Sequence, residues 1–447
     1  MYKITLALKY FLKRKVSYFA VIAVTLCVFI VVVVMTVMTG LYNDFKQKNY
    51  EITGDCVVGT SSLVGFAYYE DFIKILEQQK EIAAVSPAVK SFALIRIIGT
   101  KSDHALQVMG IEPESFCEAT NFGKTLFYNK QSVSNAFTIL RDPNMIGCIP
   151  GAGLFLLDST DFENQTQLPS YEFSISCFPL TSKGAFMDAG TGLVRTKTFY
   201  LSDVSYSGLP RIDAAMIYLP FEQVQKLCGM DGPTKRTSLI HIKFKPEVKL
   251  AKGCEIVRSL WSKFTIDKQN ESQAFLLNTV TVQSWKEFRR DAIAPMENEQ
   301  AELIVMFGFV GLTTVFIVLV VFYMIISHKS KDIGILKSVG VSKKAVIELF
   351  SIFAFFIGFL SSIIGLLTGW LFLANINNLE HWLYKKYGFE LWDRSIYAIG
   401  DIPNRVNLTI LLVIAAAAIL ACLIGAFFPS WQAARKDPAE ILQVNQL

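Results

Sequence analysis

The sequence predicts an α-helical membrane domain of four transmembrane helices, with a large extracytoplasmic α/β (α+β) domain between helices 1 and 2. Three observations predict it. Apolar residues make up 52% of the 447 residues and the mean hydropathy is +0.39, more than an ordinary soluble enzyme carries. Four stretches are long and apolar enough to cross a bilayer, which takes roughly 20 residues: Val16 to Leu41, Leu303 to Ser327, Ala345 to Ile376 and Leu408 to Pro429. Residues 43–302, between the first two stretches, are of mixed composition and numerous enough to bury a core of their own.

In chain order, residues 1–42 hold a basic start and the first span. Lys3, Lys9, Lys13, Arg14 and Lys15 come with no acid, and Ile4, Leu8, Phe11 and Leu12 share one helical face. That pattern suits an amphipathic segment lying in the membrane interface. The apolar run that follows is far longer than the roughly 7–15 residues of a signal-peptide core, so it reads as an uncleaved anchor. The segment 328–344, between the second span (303–327) and the third (345–376), carries Lys329, Lys331, Lys337, Lys343 and Lys344 against Asp332. The segment 377–407, before the fourth span (408–429), is balanced in charge. Positive-inside bias therefore places both termini, the 430–447 tail and segment 328–344 in the cytoplasm, and residues 43–302 and 377–407 outside. The formal charge of +5 is accounted for largely by this topology and calls for no nucleic-acid partner.

Within 43–302 the coarse pattern is strand at Asp55 to Thr60, helix at Tyr69 to Gln79 and strand at Phe92 to Ile98. Towards the end come a strand at Ile240 to Phe244, a helix at Val248 to Phe264 and a strand at Val280 to Trp285. Leu250, Cys254, Val257, Trp261 and Phe264 form one stripe of the second helix. Two similar units at the two ends predict one subdomain built from both, with the strand-like residues of about 105–205 inserted.

Cys27 and Cys422 lie inside spans, as packing residues. Cys56, Cys117, Cys148, Cys177, Cys228 and Cys254 lie in the outside domain, where an oxidising compartment permits disulfides in several pairings between which spacing does not choose. Neither they nor the four scattered histidines match a metal-ligand motif. Gly123-Lys124-Thr125 fails as a phosphate loop, because the position of its first glycine is Glu118. No nucleophile elbow or zinc-protease helix is present. The spans carry no charged residue between Lys15 and Asp44, Leu303 and Ser327, Leu349 and Asn377, or Val406 and Ala434. Ion-coupled transporters need such groups. A chain with no catalytic residue, nucleotide site or ion pathway must take its energy from a partner. Small residues at four-residue spacing (Ser361, Gly365, Gly369; Ala417, Ala421, Gly425) allow close helix packing in lipid, within one chain or between two.

The segment Lys329–Lys344, a basic stretch with an apolar stripe between two spans, suits docking onto a cytoplasmic protein. It resembles the coupling segment of lipoprotein-releasing (LolC/LolE-type) ABC transporter permeases of the MacB and FtsX superfamily. Lys331, Asp332, Ile333, Gly334, Leu336, Lys337 and Gly340 occupy the recurring positions. Met38-Thr39-Gly40-Leu41, Gly110-Ile111-Glu112-Pro113, Ser207-Gly208-Leu209-Pro210-Arg211-Ile212-Asp213, Met216 to Pro220, and Ser284-Trp285 also match the family pattern in order, with Thr39 and Leu41 as departures. The resemblance implies a non-enzymatic permease in the bacterial inner membrane, working with a separate ABC ATPase that binds ATP and Mg, and with a second permease chain, identical or paralogous. It would extract lipoprotein cargo from the membrane and pass it to a periplasmic carrier. This chain itself would hold no cofactor and no metal. Ile333, Leu336 and Val339 would supply apolar contact to the ATPase. Met38 and Leu41, facing Phe307 and Phe309, would form a lipid slot, and Phe186 and Met187 would tip a carrier-binding loop within Thr181 to Thr196. A MacB-type exporter and an FtsX-like regulator of a cell-wall hydrolase share the architecture and are the alternatives.

Overall fold

The structure is a computed structural model that describes residues 15–99, 103–130, 132–139, 142, 145–155, 171–187, 194–328, 330–388 and 402–435. The interfacial segment expected before Lys15, and the tail expected beyond Arg435, lie outside the described residues. Helix α1 (Lys15–Glu51) comes first, then β1 (Cys56–Gly59), β2 (Phe66–Ala67), α2 (Tyr69–Glu77), β3 (Ile82–Ile97), β4 (Asp103–Ile111), α3 (Pro113–Ala119), β5 (Gly147–Pro150) and β6 (Glu172–Cys177). There follow β7 (Arg195–Leu201), α4 (Pro210–Asp213), β8 (Met216–Pro220), α5 (Phe221–Cys228), β9 (Arg236–Thr237), β10 (Leu239–Phe244), α6 (Leu250–Asp267), β11 (Thr281–Ser284) and α7 (Trp285–Phe288). Helices α8 (Arg290–His328), α9 (Ser330–Ser338), α10 (Lys343–Tyr387) and α11 (Leu408–Arg435) complete the chain. The long helices form one compact unit and the segment between the first two forms another.

The sheet unit has nine strands in the order β11-β1-β10-β3-β4-β8-β5-β7-β6. Strand β6 pairs back onto β3, so β3, β4, β8, β5, β7 and β6 close on themselves. The hinge of this arrangement is β3, whose 16 residues serve two layers. Its first half pairs with β10 from Ile82 to Ala88, and Ala93 lies opposite both Leu106 of β4 and Cys177 of β6. The two ends of the domain do meet as the sequence implied, because β1 pairs with β10 on one side and β11 on the other. Helices α2 and α6 cover this end, with the Phe72 ring 4.7 Å from Trp261 and 5.1 Å from Phe264. The expected stripe of α6 is its buried face at Cys254, Val257, Trp261 and Phe264.

The four long helices are each long and apolar enough to cross a membrane. All four extend past the apolar spans read from sequence: α1 runs on to Glu51, α8 begins at Arg290, α10 continues to Tyr387 and α11 to Arg435. An apolar count measures only what suits lipid, whereas Lys, Glu and Gln are good helix formers in water. In α1 the extension is reinforced by the Lys48–Asp44 pair one turn apart, at 3.0 Å. Helix α10 ends where Gly388, at φ 64°, donates its N–H to Tyr384.

Inside the helical unit the small residues act within one chain. A Cβ at Gly365 would come within 2.7 Å of Val28, and one at Gly369 within 3.0 Å of Val32, so α10 lies directly on α1. Ser361 donates to the Val21 carbonyl at 3.3 Å, and Phe29 meets Phe372 edge-on at 5.6 Å. Gly358 faces Ile419 and Cys422 of α11, and Gly425 faces the Val315 carbonyl and Val318 of α8. Cys422 packs in the core of this bundle, as expected, and Cys27 is half-buried on α1.

Candidate coupling segment, cargo face and docking loop

The coupling segment folds as α9, which ends at Ser338, and Gly340, at φ 96°, turns the chain two residues later. The Ser342 hydroxyl then accepts the Ala345 N–H and starts α10. One face of α9 is already used. Ile333 is 4% exposed and packs with Val321, Phe322 and Ile325 in the bundle core. One turn on, Lys337 Nζ donates to the carbonyl of Ala434 at 3.2 Å, tying α9 to the last turn of α11. Ser338 closes on the Gly334 carbonyl at 3.0 Å. The opposite face carries Ile335, 55% exposed, and Val339, 81% exposed. This corrects the sequence reading of Ile333 as apolar contact for a partner, because the bundle core already covers it. Ile335, not singled out from the sequence, is four residues from Val339 and shares its face, a signal that the helical period carries. Lys331, Asp332 and Leu336 lie on α9, and their side chains fall outside the described residues.

For the cargo slot the C-terminal part of α1 and the N-terminal part of α8 do approach one another: the Tyr42 hydroxyl donates to Glu297 at 3.1 Å. Below that contact the expected residues fall at different levels. Met38 is one turn from Tyr42, about 6 Å along α1, whereas Phe307 is ten residues from Glu297, about 15 Å along α8 at 1.5 Å per residue. Leu41 is buried, next to Gly40, where an added Cβ would come within 2.5 Å of Pro403. Met38 and Phe307 are half-buried, and Phe309 is exposed. The structure therefore does not bring Met38 and Leu41 opposite Phe307 and Phe309. On the same rise per residue, the levels of Met38 and Phe307 differ by about 9 Å and those of Leu41 and Phe309 by about 16 Å. The exposed apolar side of α8 continues through Leu312, Phe316 and Val320. A separate apolar groove of about 310 Å³ lies between α1 and α10, lined by Val21, Ile22, Thr25, Leu26, Phe29 and Ile364 among others.

The docking loop is tightly built over its described part. Leu180 bridges to Phe186, Thr181 receives a hydrogen bond from Gly184 at 3.0 Å, and Met187 N–H returns to the Pro179 carbonyl at 3.0 Å. Gly184 takes φ 83°, which lets the turn close. Phe186 and Met187 are part-exposed, and Phe178 lies beside Phe186 with ring centroids 6.3 Å apart. The base is held by Arg236, a residue not singled out from the sequence. Its guanidinium donates to the carbonyls of Val64, Leu180 and Gly229 at 2.9, 2.8 and 2.6 Å. Gln225 supports it by donating to the Arg236 carbonyl at 2.9 Å. Residues 188–193 of the expected loop lie outside the described residues.

The remaining motifs resolve as architecture. In Ser207–Asp213, the Asp213 carboxylate accepts from Ser207 N–H, Ser207 hydroxyl and Gly208 N–H at 2.9, 2.7 and 3.0 Å. Burial pushes that carboxyl up, and these donors pull it back. Asp203 does the same work for a neighbouring loop, accepting from the N–H groups of Phe127, Tyr128, Asn129 and Val204. Lys124 pairs with Glu51 at 3.7 Å and the Thr125 hydroxyl is buried against Ser205, so Gly123-Lys124-Thr125 is a surface turn. Among the described residues no group of three or more His, Cys, Asp and Glu side chains could hold a metal.

Residues 304–438 match the FtsX-like permease C-terminal family. The chain is 19% identical over 428 residues to the lipoprotein-releasing system transmembrane protein LolC of Xylella fastidiosa strain Temecula1, covering 96% of this chain and 94% of that one. It is 20% identical over 424 residues to LolC of Neisseria meningitidis serogroup B, covering 95% and 93%. Among solved structures, the periplasmic region of MacB from Actinobacillus actinomycetemcomitans matches 54% of this chain and 94% of that one, at 11% identity and a TM-score of 0.28. The resemblance to lipoprotein-releasing permeases, read first from the motifs of residues 329–344, extends along nearly the whole chain.

Proposed function

We propose that this chain, an FtsX-like permease similar to lipoprotein-releasing transmembrane proteins over nearly its whole length, is the membrane subunit of an ATP-driven complex that extracts lipoproteins from the bacterial inner membrane. The end-to-end similarity to LolC proteins, sheet domain included, is the observation that carries the reading. In it, the sheet domain and segment 377–407 face the periplasm, and both termini and α9 face the cytoplasm. A separate ATPase binds ATP and Mg and docks on α9 through Ile335 and Val339. Ile333 and Lys337 pass its motion to the bundle, because they are anchored there. A second permease chain, identical or paralogous, completes the complex. The acyl chains of the cargo lie along the exposed apolar side of α8 that includes Phe309, and a soluble periplasmic carrier is recruited at Phe186 and Met187.

The test is depletion of this protein, separation of inner and outer membranes, and quantification of acylated lipoproteins in each. Accumulation of outer-membrane lipoproteins in the inner membrane, before general envelope damage, is expected. Unchanged partitioning rejects the reading and moves the weight to an exporter or a regulator of a cell-wall hydrolase.

A further inference from the structure

The fold brings four of the six sheet-domain cysteines together in two pairs, each pair joining elements remote in sequence. Cys56 of β1 and Cys254 of α6 are both buried in the same apolar core, with their thiols as neighbours there. The residues around them fix this approach. Gly253 packs on the Phe244 ring, the Phe244 N–H donates to Asp55, and Arg258, one turn beyond Cys254, donates to the Val282 carbonyl on β11, the strand beside β1. The second pair, Cys177 at the end of β6 and Cys228 at the end of α5, is likewise buried in that core, thiol beside thiol. Cys177 lies opposite Ala93 on β3 and Arg195 on β7, and the Arg195 guanidinium donates to the carbonyl of Lys226, two residues before Cys228 on α5, at 2.7 Å. The Cys228 carbonyl accepts from Leu180 N–H at 3.1 Å, three residues beyond Cys177. Cys148 and Cys117 differ: each thiol is pushed up by burial, with no second thiol contributing.

We infer that Cys56–Cys254 and Cys177–Cys228 are disulfides of the mature protein, the second stapling the root of the Pro179–Met187 turn. The inference rests on the proposed placement of the sheet domain outside the cytoplasm, since cytoplasmic thiols are kept reduced. Each bridge forms when two thiols give up two protons and two electrons to a disulfide of an exchange catalyst or small molecule. The S–S bond of that oxidant breaks as the protein S–S bond forms, and the oxidant leaves as two thiols. The first bridge ties β1, near the start of the domain, to α6, near its end. The second holds the docking turn against α5, beside the carbonyls that Arg236 gathers.

The test uses the full chain, expressed in bacterial membranes and denatured in a light maleimide, then reduced and treated with a heavy one before peptide mass spectrometry. The heavy label is expected on Cys56, Cys254, Cys177 and Cys228, and the light label on Cys27, Cys117, Cys148 and Cys422. In parallel, a Lys183→Cys variant is probed on intact spheroplasts with a membrane-impermeant maleimide, because Lys183 is exposed on the docking turn. Light label on all eight cysteines, with Lys183→Cys reactive from outside, overturns the bridges and leaves the topology standing. If Lys183→Cys is shielded, the compartment reading fails, and diamide oxidation of the purified chain then decides the pairing. Heavy label at the four positions after diamide supports the two pairs, and light label there overturns them.

Discussion

Replacing Ile335 and Val339 of α9 by Asp separates docking from folding. The two side chains are 55% and 81% exposed, so each retains much of its apolar surface for a partner. Full burial of an Ile or Val side chain is worth about 2 kcal/mol, so scaling by these exposures gives roughly 1.1 and 1.6 kcal/mol. Their sum of about 2.7 kcal/mol corresponds to about a 100-fold loss of affinity for the partner ATPase. The measurement is titration of the purified ATPase onto the permease in lipid nanodiscs, with stimulated ATP hydrolysis as a second readout. The double Asp variant should melt at the wild-type temperature while the midpoint of binding moves about 100-fold. Ile333→Ala should behave in the opposite way. It opens a cavity in the bundle core at a cost of about 2–4 kcal/mol and leaves Ile335 and Val339 in place. Binding by the double Asp variant within about threefold of wild type would refute the assignment of this face.

Two further outcomes follow from the sheet domain. His241 is fully buried, its Nδ1 donates to the Thr53 carbonyl at 2.8 Å, and burial first, with Arg289 adding to it, holds its pKa down to about 4. An unfolded His titrates near 6.5, so between those values the unfolded chain binds the extra proton and stability falls as pH falls. Over that window the loss approaches about 3 kcal/mol; thermal unfolding of the full chain from pH 7 to 4 should show it, and His241→Gln should flatten the profile. At the docking turn, Phe186→Ser with Met187→Ser should weaken carrier capture by about tenfold, given the apolar area the two leave exposed. ATPase stimulation should be unchanged, and carrier binding equal to wild type would dismiss the turn as the docking site.

The bilayer makes part of this protein legible in advance. Spans must be apolar for their whole length, and lysines mark the cytoplasmic side, so four helices and a domain between the first two could be read from a single sequence. The period of α6 likewise announced its buried stripe, because alternation between core and water is a local property. The candidate sites were less legible. Ile333 and Ile335 are the same residue type two positions apart, and only the bundle decides that one is core and the other surface. Nor does composition reveal that Asp203 and Arg236 hold loops, since their partners are backbone groups that any residue supplies.

What the sequence by itself determined is therefore the number of membrane-length helices and the pairing of the two ends of the sheet domain, both set by hydrophobicity repeating along the chain. The tertiary structure alone decided which cysteines meet, how far past the membrane-length spans the helices run, which face of α9 is free, and that Met38 and Phe307 are not level. Each of these depends on distances between residues tens to hundreds of positions apart. Packing sets such distances, and no local pattern encodes them.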